Sequence, residues 1–408
     1  MTREAWKTAA FGAVAMTLVT VAAVIEPESR TPAILSDQGE AFYPAFTDAQ
    51  SPRAIEVVDY DEATATARPF KVLFQKGRWI IASNYNYPVD IGDRLSKTAA
   101  ALMDMKKDLV RSDSTRDHAQ YGVIDPLDQK ASSLAGRGKR VTLRDARGAV
   151  LADFIMGKPV EGKQGFRFVR LPGEKRTYAV KTEAEPSAEF AEWVNAGLLR
   201  IAQASIRKVT VNSYSIDERM GRIMNAETAV LTHEKDTWKL AGAEKFNQAA
   251  VTQMSAALDQ LKIVDVRPKP PSLAQDLKSG QIRLSLEAQV SLRQRGYFLT
   301  PQGRLLANQG EMTVETTNGV VYTLRFGEIA TAEGTAPDAA AAAKQKGEAR
   351  HLFVTVGFDP VRAEAYKGDA EAGKRAAQDL TNRFADWYYV IGGADFRKLC
   401  LTRKDLVR

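Results

Sequence analysis

Gly77-Arg78-Trp79-Ile80-Ile81 and Asp236-Thr237-Trp238-Lys239-Leu240 are one pattern written twice, a tryptophan leading a short apolar strand out of a turn. Working outward, the recurrence extends. Leu95, Leu102 and Met105 share one helical face that ends near Val110-Arg111, and Val251, Leu258 and Leu261 repeat that spacing 156 residues later, ending near Val266-Arg267. Tyr121-Gly122-Val123-Ile124-Asp125-Pro126 is echoed by Gly296-Tyr297-Phe298-Leu299-Thr300-Pro301, with the Tyr-Gly order reversed. Val141-Thr142-Leu143, running through Gly148 to Gly157, is echoed by Met312-Thr313-Val314, running through Gly319 to Gly327. Phe190-Ala191-Glu192-Trp193 returns as Phe384-Ala385-Asp386-Trp387. The first reading of the chain is therefore a tandem duplication.

Each copy reads as hairpins and amphipathic helices. Ile55-Glu56-Val57-Val58 and Lys71 to Phe74 are strands, with a hairpin turning at Gln75-Lys76-Gly77. Asp93 to Lys107 is a helix. Val141 to Met156 turns at Asp145 to Gly148, and Phe166–Arg170 with Thr177–Val180 turns at Pro172-Gly173-Glu174. Pro186 opens a short helix carrying Phe190 and Trp193. The second copy begins at Ile206, has its helix over Gln248 to Leu261, and turns at Thr317-Asn318-Gly319, a type I′ signal. One helix is expected from Pro360 to Asp386, followed by a strand over Trp387 to Ile391. Hairpins make antiparallel sheets, so the fold class is α+β. The domains are residues 1–26, a signal anchor; 27–52, a linker whose Phe42, Tyr43 and Phe46 dock on the first repeat; 53–200, that first repeat; and 201–408, the second, with insertions at 268–281 and at the alanine-rich 331–350.

Residues 9–25 run from Ala9 to Ile25 without a charge, preceded by Arg3 and Lys7 and followed by Glu26 and Glu28. As a helix this run spans ~26 Å, enough for a bilayer core. The charge bias places the N-terminus in the cytoplasm and the bulk of the chain outside it. A cleaved signal peptide, ending near Val21-Ala22-Ala23, is the competing reading. A net charge of +7 spread along 408 residues, with no nucleic-acid motif, argues against a nucleic-acid partner. The lone Cys400 excludes an intrachain disulfide.

No residue is assigned a catalytic, cofactor-binding or metal-ligating role. Gly157, Gly162 and Lys163 have P-loop spacing, but Gln164 stands where magnesium needs a hydroxyl, and a strand follows where phosphate needs a helix N-terminus. His118, His233 and His351 form no metal-binding pair and read as unrelated surface or edge residues. The carboxylate pairs Asp59/Asp61 and Glu183/Glu185 read as solvated strand edges. Trp79 and Trp238 read as core residues of their hairpins rather than ligand-stacking rings.

The strand Ile55-Glu56-Val57, the Gly77–Ile81 segment, the Leu95–Met105 helix, Tyr121–Pro126 and Gly157-Lys158 together resemble the bacterial family called domain of unknown function 4340. Members of that family are often encoded beside gliding-motility-type ABC transporter subunits. The resemblance implies a single-pass inner-membrane protein with its domains in the periplasm. Its partners would be integral-membrane transporter subunits or other envelope proteins. It implies no catalytic residues and no cofactor. The expected function is that of an accessory or binding protein and not an enzyme. The alternative is an envelope polysaccharide or lipid hydrolase working through two carboxylates.

Overall fold

A computed structural model describes residues 38–194, 197–217, 222–234, 237–281, 283–300, 302–330 and 348–407. The anchor run 9–25 and most of the 331–350 insertion lie outside these residues. None of the described helices is long and apolar enough to cross a membrane.

The first module contains β1 (Ala54–Asp61), β2 (Thr66–Gln75), β3 (Arg78–Ile81), β4 (Tyr87–Val89), α1 (Arg94–Met103), β5 (Leu109–Ser112), α2 (His118–Tyr121), β6 (Lys139–Arg144), β7 (Val150–Pro159), β8 (Phe166–Arg170), β9 (Thr177–Lys181) and α3 (Phe190–Trp193). The second contains β10 (Ile206–Asp217), β11 (Arg222–Glu234), β12 (Thr237–Leu240), α4 (Gln248–Gln260), β13 (Ile263–Pro268), α5 (Pro271–Ser279), α6 (Leu286–Gln294), β14 (Tyr297–Leu299), β15 (Leu305–Ala307), β16 (Glu311–Thr316), β17 (Val320–Ile329), β18 (Arg350–Phe358), α7 (Pro360–Ala365), α8 (Ala370–Ala385), β19 (Trp387–Ile391), α9 (Gly393–Leu399) and α10 (Arg403–Leu406). The expected mixture of α and β with antiparallel sheets is what forms.

The two large sheets have one strand order. The first runs β4-β3-β2-β1-β6-β7-β8-β9-β5 and the second β12-β11-β10-β16-β17-β18-β19-β13. Apart from the extra edge strand β4, each position in one sheet has its counterpart in the other. Register carries the match to single residues. Val57 pairs with Phe70 and Val141, as Val211 pairs with Ala229 and Met312. Trp79 lies opposite Phe74, as Trp238 lies opposite His233.

Strand alternation sends Ile55, Val57, Val141 and Leu143 to the face covered by Leu95, Ala99 and Leu102 of α1. Val209, Val211, Met312 and Val314 are covered in the same way by Val251, Met254 and Leu258 of α4. Each of these valine, leucine, isoleucine and methionine side chains contributes roughly 1.5–3 kcal/mol through burial. Phe42 and Phe46 are buried on the first module, and the Tyr43 hydroxyl donates to the Asp153 carbonyl at 2.8 Å.

A single apolar core runs through both modules. At their joint the Asn84 side-chain amide donates to Asp265 at 2.9 Å, and the Tyr87 ring meets Trp387 edge-on at 5.0 Å. Asp265 forms a buried ion pair with Arg267, which lies over the Tyr85 ring.

Four local expectations are corrected. The helix expected over Pro360 to Asp386 is broken into α7 and α8. A Cβ at Gly368 would lie 2.0 Å from the Thr317 carbonyl, and Lys367 adopts φ 55°, so the β16–β17 loop packs into the gap. That loop is not type I′, which needs two left-handed residues. Only Gly319 is left-handed, at φ 78°, while Asn318 accepts a hydrogen bond from Thr316 Oγ1 at 2.8 Å. The short helix near Pro186 begins only at Phe190. Finally, Phe190–Trp193 follows β9, whereas Phe384–Trp387 leads into β19, of which Trp387 is the first residue. The two segments share letters and not a place in the fold.

Candidate functional site

The residues singled out in the sequence fall at separate places. The 157–165 segment ends β7 and leads into the antiparallel β8, so the P-loop spacing sits in a strand connection. The three histidines are buried, not superficial, and two of them complete a local contact. His118 Nε2 lies 2.8 Å from the Lys175 carbonyl, and His233 Nδ1 lies 3.1 Å from the Ile206 carbonyl with its ring stacked on Trp238. His351 is held down to about 3 by burial and by Arg295 and Arg267. Asp61 pairs with Arg68 and accepts from the Ala63 and Thr64 amides. Asp59 pairs with Lys139, and Glu185 with Arg167. Trp79 and Trp238 are half-buried at the rim of the core. Burial pushes the Cys400 thiol up to about 11, and it donates to the Gln309 carbonyl.

What the sequence did not single out is a cleft of about 790 Å3 in the first module. It lies where β5 leads through α2 to Gly122. Gly122 caps α2 in the left-handed region at φ 68°, and Gly157 backs onto it. A Cβ at Gly157 would lie 2.4 Å from the Tyr121 carbonyl. The second module builds the same junction. Gly296 has φ 80°, and a Cβ at Gly327 would lie 2.2 Å from the Arg295 carbonyl. Gly122 and Gly296 are therefore the equivalent residues, which resolves the reversed Tyr-Gly order.

The cleft opens on the sheet face opposite the main core. Along β8, Val169 points into the core, while Phe168 meets Tyr121 of α2 at 4.5 Å on the other face. Arg170 shares that outer face and lies in the cleft, only 6% exposed. Its Nε donates to the Val123 carbonyl at 2.8 Å, and its Nη1 donates to the carbonyls of Leu171 and Glu174 at 3.3 and 2.8 Å. Among the described residues, Nη2 makes no hydrogen bond and no carboxylate forms an ion pair with this guanidinium. Burial pushes its pKa down, against the pull of Asp125 and Asp128.

Other charges around the cleft differ in how they are held. Arg140 is clamped by Asp153 at 2.7 Å and Asp125 at 3.0 Å, which raises its pKa. Arg116 and Lys175 stand exposed at the rim without an ion pair among the described residues, as do Asp128 and Glu174. Leu127, 48% exposed, supplies an apolar edge.

The corresponding face of the second module is closed. Phe353 stands at the ladder position of Arg170. It is sealed with Tyr297 and Tyr388 beneath Leu273 of α5 and Ala288 and Leu292 of α6. The 268–281 insertion supplies α5, and with α6 it covers what the first module leaves open. A groove of about 780 Å3 remains outside these helices, bounded by Pro270, Leu286 and Val290.

Among the described residues no group of three metal-ligating side chains is present. The cleft can offer hydrogen-bond donors and acceptors of both charges around one preorganised cation. No curated protein and no solved structure matches the chain. Residues 79–280, from β3 of the first module to the end of α5 in the second, match the model of the family described as Domain of unknown function (DUF4340), and this stretch of the chain belongs to that family.

Proposed function

We propose that the chain is a membrane-anchored, extracytoplasmic accessory protein that binds a ligand or partner in the cell envelope beside an ABC-type transporter complex. The observation that carries the binding role is the open polar cleft of the first module, set against its closed counterpart in the second. A duplicated scaffold that seals one copy and keeps the other open concentrates recognition in one place. The uncharged run at 9–25, with basic residues before it and acidic residues after it, supports the anchor and its orientation. The association with transporter subunits rests on the family resemblance alone.

A second reading is a hydrolase. Asp128 and Glu174 both line the cleft without an ion pair among the described residues, and two carboxylates are what glycoside hydrolysis requires. Against it, the cleft's other carboxylate, Asp125, is tied to Arg140 and to the Leu127 amide.

Fractionation and affinity capture test the proposal together. The full chain should remain in alkali-washed membranes, and Leu18→Asp should release it, since Asp at mid-span costs ~2.5–3.5 kcal/mol of insertion. Capture from detergent-solubilised membranes should recover transporter permease and ATPase subunits. A mature N-terminus near Val24 would remove the anchor, and capture without transporter subunits would remove the association. Turnover of an envelope polysaccharide, lost in both Asp128→Asn and Glu174→Gln, would establish the second reading instead.

A further inference from the structure

We propose that the first-module cleft takes an acidic saccharide unit, with its carboxylate or phosphate on Arg170 Nη2 and its hydroxyls on the rim. The inference rests on the binding role proposed above and names the ligand class for that site.

The geometry at Arg170 supports the anionic group. A guanidinium carries five donors in a fixed fork. Here three carbonyls hold Nε and Nη1, so the side chain is immobilised before any ligand arrives. Nη2 is left over, on a residue that lines the cleft and is more than nine-tenths buried. Carbonyl oxygens orient the group without neutralising it. A buried cation without a paired carboxylate favours an incoming anion, and an oriented guanidinium binds carboxylate or phosphate with little loss of side-chain freedom.

The remaining lining argues against a bare anion. Asp128 and Glu174 would repel a small ion but accept hydrogen bonds from hydroxyls. Arg116 and Lys175 can donate to ring and hydroxyl oxygens, Ser133 Oγ, whose proton goes to the Ala135 carbonyl, can accept from a hydroxyl, and Leu127 offers an apolar edge to a sugar's C–H face. A ligand that carries one negative group and several hydroxyls satisfies both sets at once. A volume of about 790 Å3 accommodates a short oligosaccharide.

Calorimetric titration of the full chain in detergent micelles tests this with four probes: trigalacturonate, glucose 6-phosphate, neutral cellotriose and inorganic phosphate. One of the two anionic sugars should bind at least tenfold more tightly than cellotriose and than phosphate, and which one binds identifies the anionic group. Arg170→Lys should weaken that binding by tenfold or more. The exposed double variant Arg116→Ala/Lys175→Ala should weaken it severalfold with no change in melting temperature, which keeps the test valid if Arg170→Lys misfolds. Cellotriose binding as well as trigalacturonate would overturn the anionic assignment while leaving a binding cleft intact. Phosphate alone binding, or no probe binding, would overturn the saccharide assignment. Failure of the transporter association would show separately, as capture from membranes without transporter subunits.

Discussion

Arg170 and Phe353 hold one position in two sheets. Val169 pairs with Met156 and Leu352 with Phe326, the residues just before Gly157 and Gly327, so the next residue along β8 and β18 is Arg170 in one module and Phe353 in the other. One floors an open polar cleft, and the other is sealed beneath an inserted helix. Phe353→Ala should therefore cost ~3–5 kcal/mol in urea denaturation, as expected for a fully buried ring. Leu127→Ala at the cleft edge should lie within ~0.5 kcal/mol of wild type. Equal costs would mean that the face of the second module is not closed.

The joint between modules makes a second prediction. Asp265 and Arg267 are both buried, two residues apart on one strand, and Asp265 also takes the Asn84 amide. Removing one member leaves the other charge buried and unpaired, so Asp265→Ala should cost ~3–5 kcal/mol. Asn84→Ala, which removes the hydrogen bond donated to Asp265 and the one accepted from Ser83 Oγ, both without loss of a charge, should cost ~1–2 kcal/mol. If Asp265→Ala costs no more than Asn84→Ala, the ion pair is not desolvated as described.

The paired glycines make a third. Gly157→Ala and Gly327→Ala each drive a Cβ against a main-chain carbonyl, at 2.4 and 2.2 Å respectively. Backbone cannot yield as a side-chain tip can, so each substitution should lower stability by ~2 kcal/mol or more. Gly148→Ala is a useful contrast, because a Cβ there meets nothing and strain at φ 84° is its only cost. Destabilisation by Gly148→Ala equal to that of Gly157→Ala would mean that the close approach carries no energy.

Much of the fold was legible because it was written twice. The Trp79 and Trp238 hairpins, the helices under Leu95 and Val251, and the strands at Val141 and Met312 depend on local periodicity and turn residues, which short windows contain. The Phe190–Trp193 echo misled because four matching letters say nothing about which side of a strand they fall on. The cleft was not legible. Arg170 reads as an ordinary alternating strand residue in Phe166-Arg167-Phe168-Val169-Arg170, and only the ladder shows that its counterpart is Phe353. The rim residues Arg116, Asp128 and Lys175 come from three separate loops, and nothing in their spacing brings them together.

The last prediction concerns pH. Lys269 is buried over the rings of Phe353 and Tyr388 and donates to the Phe384 carbonyl at 2.8 Å. Desolvation brings its pKa down to about 7, with Asp386 opposing weakly. The unfolded chain keeps the ordinary value near 10.4. Between about pH 7 and 10 the unfolded state therefore binds more protons than the folded state, and stability rises with pH across that window. Below pH 7 both states carry the charge and the burial cost is felt in full. Each unit of depression corresponds to about 1.4 kcal/mol. Lys269→Met should be most favoured relative to wild type at pH 6, and its advantage should shrink steadily toward pH 10 in chemical denaturation. His351 acts in a separate window. Its pKa of about 3 against an ordinary value near 6.5 means that stability is lost as pH falls from about 6.5 toward 3. His351→Gln should flatten that acid limb alone. Parallel pH curves for wild type and Lys269→Met between pH 7 and 10 would show that the amine keeps its proton in the folded protein.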